Sequence, residues 1–122
     1  MNTLEIGKKL VELCREGKNE EAVNTLLADD VVSVEAGAPP GQNATTNGIE
    51  GVRGKGVWWR ENHEIHSAKV EGPWPNGDKF IVRFSYDVTF KPAKQRFIME
   101  EAALYTVANG KIVKEEFFYH MG

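Results

Sequence analysis

The chain has 122 residues, 41% of them hydrophobic, which suits one compact domain over residues 1–122 with a real core and leaves no room for a second. Its net charge of −3, with lysines and arginines scattered along the chain, gives no basic footprint for nucleic acid. No apolar run approaches the roughly 18 residues that span a membrane, no signal-peptide pattern opens the chain, and the single Cys14 excludes an internal disulfide, so a cytoplasmic location is expected.

Asn2 and Glu5 stand at capping-box spacing, and Ile6, Leu10, Leu13 and Cys14 recur at helical period, predicting an amphipathic helix over Asn2 to Glu16 that Gly17 stops. Asn19 is placed to cap a second helix, with Ala22, Val23, Leu26 and Leu27 as its buried stripe. The β-branched run V-V-S-V-E predicts a strand over Val31 to Glu35. Ala36 to Gly48 is crowded with turn formers and reads as a long loop, either a functional lid or disordered.

Helical periodicity returns over Ile49 to His66, with Val52, Gly56, Trp59, His63 and His66 near one face. Gly51, Gly54 and Gly56 each weaken this helix by about 1 kcal/mol relative to alanine, so packing of its tryptophans has to hold it. Ser67 to Val70 predicts a short strand and Glu71 to Asp78 a turn region. The clearest alternation follows: Phe80, Val82, Phe84, Tyr86, Val88 and Phe90 on an inner face, Ile81, Arg83, Ser85, Asp87 and Thr89 on an outer one. After a turn at Lys91 to Gln95, two strands close on Asn109-Gly110, a dipeptide that favours hairpins. Helices segregated from an antiparallel sheet make an α+β fold.

The closing hairpin carries acids where a sheet should be apolar, and its register sets their direction. A two-residue turn pairs Val107 with Ile112 and puts Glu101 and Glu115 on opposite faces. A three-residue loop, Ala108-Asn109-Gly110, pairs Tyr105 with Val113 and Ala103 with Glu115, and puts both acids on one wall with Met99, Phe117 and Tyr119. The three-residue loop is the expected one.

The segments L-L-A-D-D-V-V-S-V-E, N-G-I-E-G-V and L-Y-T-V-A-N-G-K-I-V, in this order and spacing, resemble the SnoaL-like branch of the nuclear transport factor 2-like superfamily over essentially the whole chain. The resemblance implies a cone-shaped domain in which a strongly curved antiparallel sheet wraps the N-terminal helices and leaves an apolar pocket. It also implies a homodimer, here through the outer sheet face. Relatives include ketosteroid isomerases, polyketide cyclases, epoxide hydrolases, dehydratases and binding domains without chemistry, so fold alone leaves function open. By position Glu35 falls where ketosteroid isomerases carry their aspartate base. Their oxyanion tyrosine falls near Leu10 and their protonated aspartate at Ala103, so steroid isomerisation by that mechanism is not expected.

The catalytic candidates are therefore Glu35, Glu101 and Glu115, the last two placed as the deep acid of SnoaL-like cyclases would be. Two carboxylates close together in an apolar cavity do not both ionise readily, so one would serve as acid and another as base. The plain alternative is that each glutamate pairs with an indole, a histidine or a lysine. Trp59, His63, Phe84, Tyr86, Phe117 and Tyr119 are the expected ligand-binding residues, with His63 a candidate proton shuttle. His63-x-x-His66 with a nearby glutamate has neither a zincin motif nor cysteine ligands to support a metal, Gly54-Lys55-Gly56 lacks the rest of a phosphate loop, and the dinucleotide fingerprint and the Gly-x-Ser-x-Gly elbow are missing, so neither metal nor cofactor is expected. Two functions follow: a cofactor-independent isomerase, cyclase, dehydratase or epoxide hydrolase acting on a small apolar molecule, or a non-catalytic binding or dimerisation module.

Overall fold

A computed structural model describes residues 1–120. In chain order the elements are α1 (Thr3–Arg15), α2 (Asn19–Leu26), β1 (Leu27–Val34), β2 (Thr45–Asn47), α3 (Ile49–Asn62), β3 (His63–Asn76), β4 (Lys79–Phe90), a 3-10 turn at Lys91–Ala93, β5 (Gln95–Ala108) and β6 (Lys111–Phe118). One curved, open sheet runs β2-β1-β6-β5-β4-β3, with α1 lying against β3 and β4 and α3 against β1. The sheet is mixed: β1 and β6 are parallel, and the other pairs antiparallel as expected. None of the helices is long and apolar enough to cross a membrane.

The first helix forms as its sequence predicts. Asn2 Oδ1 accepts from the Glu5 N–H at 2.9 Å while Glu5 Oε1 accepts from the Asn2 N–H at 3.0 Å, and Ile6, Leu10, Leu13 and Cys14 are buried. Asn19 is not a cap but the first residue of α2, which Lys18 precedes without a side-chain bond. Leu27 leaves the helical stripe to open β1, and it stays buried because both elements face the same core. The predicted long loop contains β2, which pairs with the end of β1 and draws the loop back over it.

Two boundaries differ from expectation at the third helix. The helix stops at Asn62, and His63 opens β3 opposite Phe90. Side chains close the helix end: Asn62 Nδ2 donates to the Trp58 carbonyl at 2.8 Å, and His63 Nδ1 bonds the Trp59 carbonyl at 2.8 Å. His66 is consequently an exposed strand residue bonded to Thr89 Oγ1 at 2.7 Å, not a helical neighbour of His63. The predicted turn over Glu71 to Asp78 is mostly strand. A register shift at Gly72-Pro73 absorbs the proline in an edge strand, and β3 resumes with Trp74 opposite Ile81.

On β4 the expected inner face is buried from Phe80 through Val88. The closing hairpin combines parts of both registers. Its tip is the tight turn, not the expected three-residue loop: Ala108 pairs with Lys111, and Asn109 (φ 53°) and Gly110 (φ 76°) are both left-handed, as a type I′ turn requires. One step further a bulge at Val113 supplies the extra residue, since Val107 pairs with Ile112 but Thr106 pairs with Lys114 and Tyr105 with Glu115. Ile112 takes the inner position expected for Val113, and the changed parity turns Glu115 inward on the same face as Tyr105, Ala103 and Glu101.

Candidate active site

The bulge and the parallel β1–β6 pairing together build the site. Parallel register sets Ser33 beside Glu115, and the inner alternation Val31, Ser33, Glu35 carries the row to one residue past the end of β1. Ser33 Oγ, fully buried, donates to Glu115 Oε2 at 2.7 Å. From α3, Lys55 Nζ donates to Ser33 Oγ at 2.8 Å and to Glu35 Oε1 at 2.7 Å, and lies 5.7 Å from the centre of the Phe117 ring. Tyr119 Oη completes the chain by donating to Glu35 Oε2 at 3.1 Å. Glu115, Ser33, Lys55, Glu35 and Tyr119 are thus joined end to end by hydrogen bonds.

Directions within this chain are fixed by chemistry. An ammonium group only donates, so Ser33 Oγ accepts from Lys55 and keeps its own hydrogen for Glu115. Both Glu35 oxygens accept, one from Lys55 and one from Tyr119, which is the pattern of an ionised carboxylate. The Lys55–Glu35 pair is about two-thirds shielded from solvent, each side chain being 31% exposed.

Glu101 occupies a different position. It lies opposite Phe84 on β4 and one residue beyond the last β5–β6 pair, Ala102 with Phe118, so it faces inward where the sheet stops being covered by β6. Among the described residues no hydrogen bond reaches its carboxyl group. Burial, then the negative charges of Glu35 and Glu115, push its carboxyl up to about 7, against a downward pull from Lys55. Burial likewise raises Glu115, offset by the Ser33 hydrogen bond and by Lys55. The three glutamates expected from the sequence therefore share one electrostatic cluster, with Lys55 as its cation.

Aromatic side chains form the wall. His63 stacks on Trp59 with ring centres 4.3 Å apart, and Trp59 meets Tyr86 at 5.9 Å, beside Phe84. Because the Trp59 carbonyl can only accept, His63 Nδ1 carries the hydrogen of this bond. Phe117 packs edge-on to Tyr105 and under Lys55. Burial holds the Tyr86 and Tyr105 hydroxyls protonated, and burial together with Glu35 pushes Tyr119 up to about 12. Tyr119 also lines a cavity of about 740 Å³ with Phe97, Ile98, Met99, Glu100 and His120, at the uncovered end of β5. Neither this cavity nor a second groove of about 360 Å³, between α1 and Gly72-Pro73, is lined by any of the three acids.

Sequence reasoning missed Ser33 and Lys55. Both were readable: Ser33 lies midway in the inward alternation of β1, and Lys55 is three residues after the buried Val52 and four before Trp59, on one helix face. A charge between two glycines reads as a solvated face until the acids opposite are known.

The SnoaL-like domain model matches residues 1–119. A crystal structure from Mesorhizobium loti, of a proposed SnoaL-like polyketide cyclase that also bears the label carbohydrate phosphatase, is 47% identical, covers 98% of this chain and 100% of its own, and superposes with a TM-score of 0.92. More distant structures share the fold alone. One is a proposed isomerase from Bacillus subtilis (15% identity, 98% of this chain and 90% of that one, TM-score 0.79). Another is a protein with a ketosteroid isomerase-like fold from Catenulispora acidiphila, in complex with trimethylamine (24% identity, 98% and 88%, TM-score 0.73). No curated protein matches the chain. With the family model running over nearly its whole length and near-complete mutual coverage by a 47% identical structure, the chain belongs to the SnoaL-like domain family.

Proposed function

We propose that the protein binds a small apolar molecule against the inner sheet face and acts on it by cofactor-independent acid/base chemistry, with Glu101 as the group that gives and takes the proton. The observation that carries this reading is the Glu101 carboxyl, facing inward and raised to about 7, where both protonation states are populated near neutral pH. Glu35 acts as a fixed carboxylate held by Lys55 and Tyr119, and Glu115 as the buried acid whose charge helps raise Glu101. Trp59, His63, Phe84, Tyr86, Phe117 and Tyr119 supply the apolar surface that seats the ligand. With three carboxyls against one lysine, the wall favours neutral ligands over anionic ones, which fits ketones, lactones and epoxides on fused rings.

The test compares wild type and Glu101→Gln on a panel of fused-ring ketones, lactones and epoxides, following binding by thermal shift and turnover by product analysis. Retained binding with turnover reduced at least about 100-fold is expected; full turnover in the variant refutes the role. A non-catalytic binding module is the second reading, favoured by the engagement of both Glu35 oxygens and of Glu115 Oε2 by protein donors, as in structural ion clusters. Ligand binding to wild type with no turnover between pH 6 and 8 selects it.

The outer sheet face carries Trp74, Ile81, Ile98 and Phe118 exposed, the kind of surface that a second copy would cover. Homodimerisation through this face is part of the proposal. Light scattering should give twice the monomer mass, and Ile81→Glu with Phe118→Glu should halve it; a monomeric wild type refutes this part.

A further inference from the structure

We propose that Ser33 and Lys55 form a proton path linking buried Glu115 to Glu35 and Tyr119 at the rim of the sheet. Glu115 is 7% exposed and Ser33 fully buried, so neither exchanges protons with water directly. Each link of the route is a hydrogen bond: Ser33 to Glu115 at 2.7 Å, Lys55 to Ser33 at 2.8 Å, Lys55 to Glu35 at 2.7 Å and Tyr119 to Glu35 at 3.1 Å. Tyr119 borders the 740 Å³ cavity, so the route ends beside open space. The titratable or charged groups facing Glu115 are Cys14 from α1, Tyr105 and Glu101 from β5, Glu35 just past the end of β1 and Lys55 from α3. Burial holds the Cys14 thiol and the Tyr105 hydroxyl protonated, and among the described residues only Ser33 is hydrogen-bonded to Glu115.

Inward transfer leaves every intermediate group as it began. The Ser33 hydroxyl hydrogen passes to Glu115 Oε2, and the Ser33 oxygen takes a hydrogen from Lys55 Nζ. The amine recovers its proton from Glu35 Oε1, which has received one from water at the rim, directly or through the Tyr119 hydroxyl. One proton has then moved from solvent to Glu115, and the reverse sequence returns it. A serine between an ammonium donor and a carboxylate acceptor is suited to this, since it accepts from one and donates to the other at once.

The path is independent of whether the pocket turns a substrate over. Its test is the rate at which the protonated Glu115 carboxyl exchanges hydrogen for deuterium, read from its infrared carbonyl band after rapid mixing into D₂O. The band is assigned by its loss in Glu115→Gln, and each protein is held one pH unit below its own Glu115 midpoint. Ser33→Ala and Lys55→Met should slow exchange at least tenfold, while Ser33→Thr, which keeps the hydroxyl, should exchange within a factor of two of wild type. Wild-type rates in both Ser33→Ala and Lys55→Met overturn the proposal. So does equal slowing in Ser33→Thr and Ser33→Ala, which marks packing rather than a relay. If Ser33→Ala fails to fold, as judged by near-ultraviolet circular dichroism, a wild-type rate in Lys55→Met, or a Ser33→Thr rate slowed as much as that of Lys55→Met, overturns the proposal.

Discussion

Replacing Glu101 by glutamine should stabilise the protein, and by an amount that depends on pH. In the unfolded chain this carboxyl titrates at its ordinary value near 4.5, and in the fold at about 7. Below 4.5 both states hold the proton and the residue contributes no difference. Between 4.5 and 7 the folded state binds more protons than the unfolded one, so stability falls as pH rises; above 7 the full penalty is present. At about 1.4 kcal/mol per pH unit, the gap between 4.5 and 7 amounts to about 3 kcal/mol. Glutamine has nearly the same shape and no charge, so Glu101→Gln should match wild type at pH 4 and exceed it by about 3 kcal/mol at pH 8. With urea slopes of about 1–3 kcal/mol per molar, the midpoint difference at pH 8 should be about 1–3 M. Urea curves at pH 4 through 8 measure it. A midpoint difference that does not change with pH would refute the premise that Glu101 titrates differently in the fold.

Lys55→Met removes the cation from among three carboxyls: Glu101 and Glu115 should titrate higher still, and the variant should lose roughly 1–3 kcal/mol at pH 8. The loss should shrink toward pH 4, where Glu101 and Glu115 are protonated, as urea curves would reveal. Cys14, buried and with its thiol pushed up to about 12 by burial and by Glu115, should resist a disulfide reagent in the native protein and react at once in denaturant. Native reactivity at the denatured rate would contradict its placement. Gly110→Ala places a side chain at φ 76° in the type I′ turn and should lower stability by about 1–2 kcal/mol in thermal or urea unfolding, with the sheet intact.

Local pattern made much of the fold legible. The capping box of α1 and the alternation of β4 each depend on neighbours in the chain, and both stand where the sequence puts them. The third helix was overextended because His63 does fall one helical turn after Trp59. What ends the helix is the pairing of His63 with Phe90, a tertiary contact outside any local window. The hairpin shows the same division more sharply: Asn109-Gly110 marks the turn, but no residue type marks Val113 as bulged. Glu101 and Glu115 were expected on one face through a longer loop, and they share it through the bulge. Lys55 and Ser33 escaped notice because their meaning depends on β1 lying parallel to β6 and on α3 crossing over them, both set by packing between distant segments.

The proposed function rests on Glu101, on the inner sheet wall, changing protonation near neutral pH. Carbon-detected NMR of glutamate-labelled protein, with the Glu101 signal assigned by its absence in Glu101→Gln, follows that carboxyl through a titration from pH 4 to 9. Its midpoint should fall at about 7 and move upward in Lys55→Met, as a proton-exchanging Glu101 requires. A midpoint near the ordinary 4.5 would contradict that function.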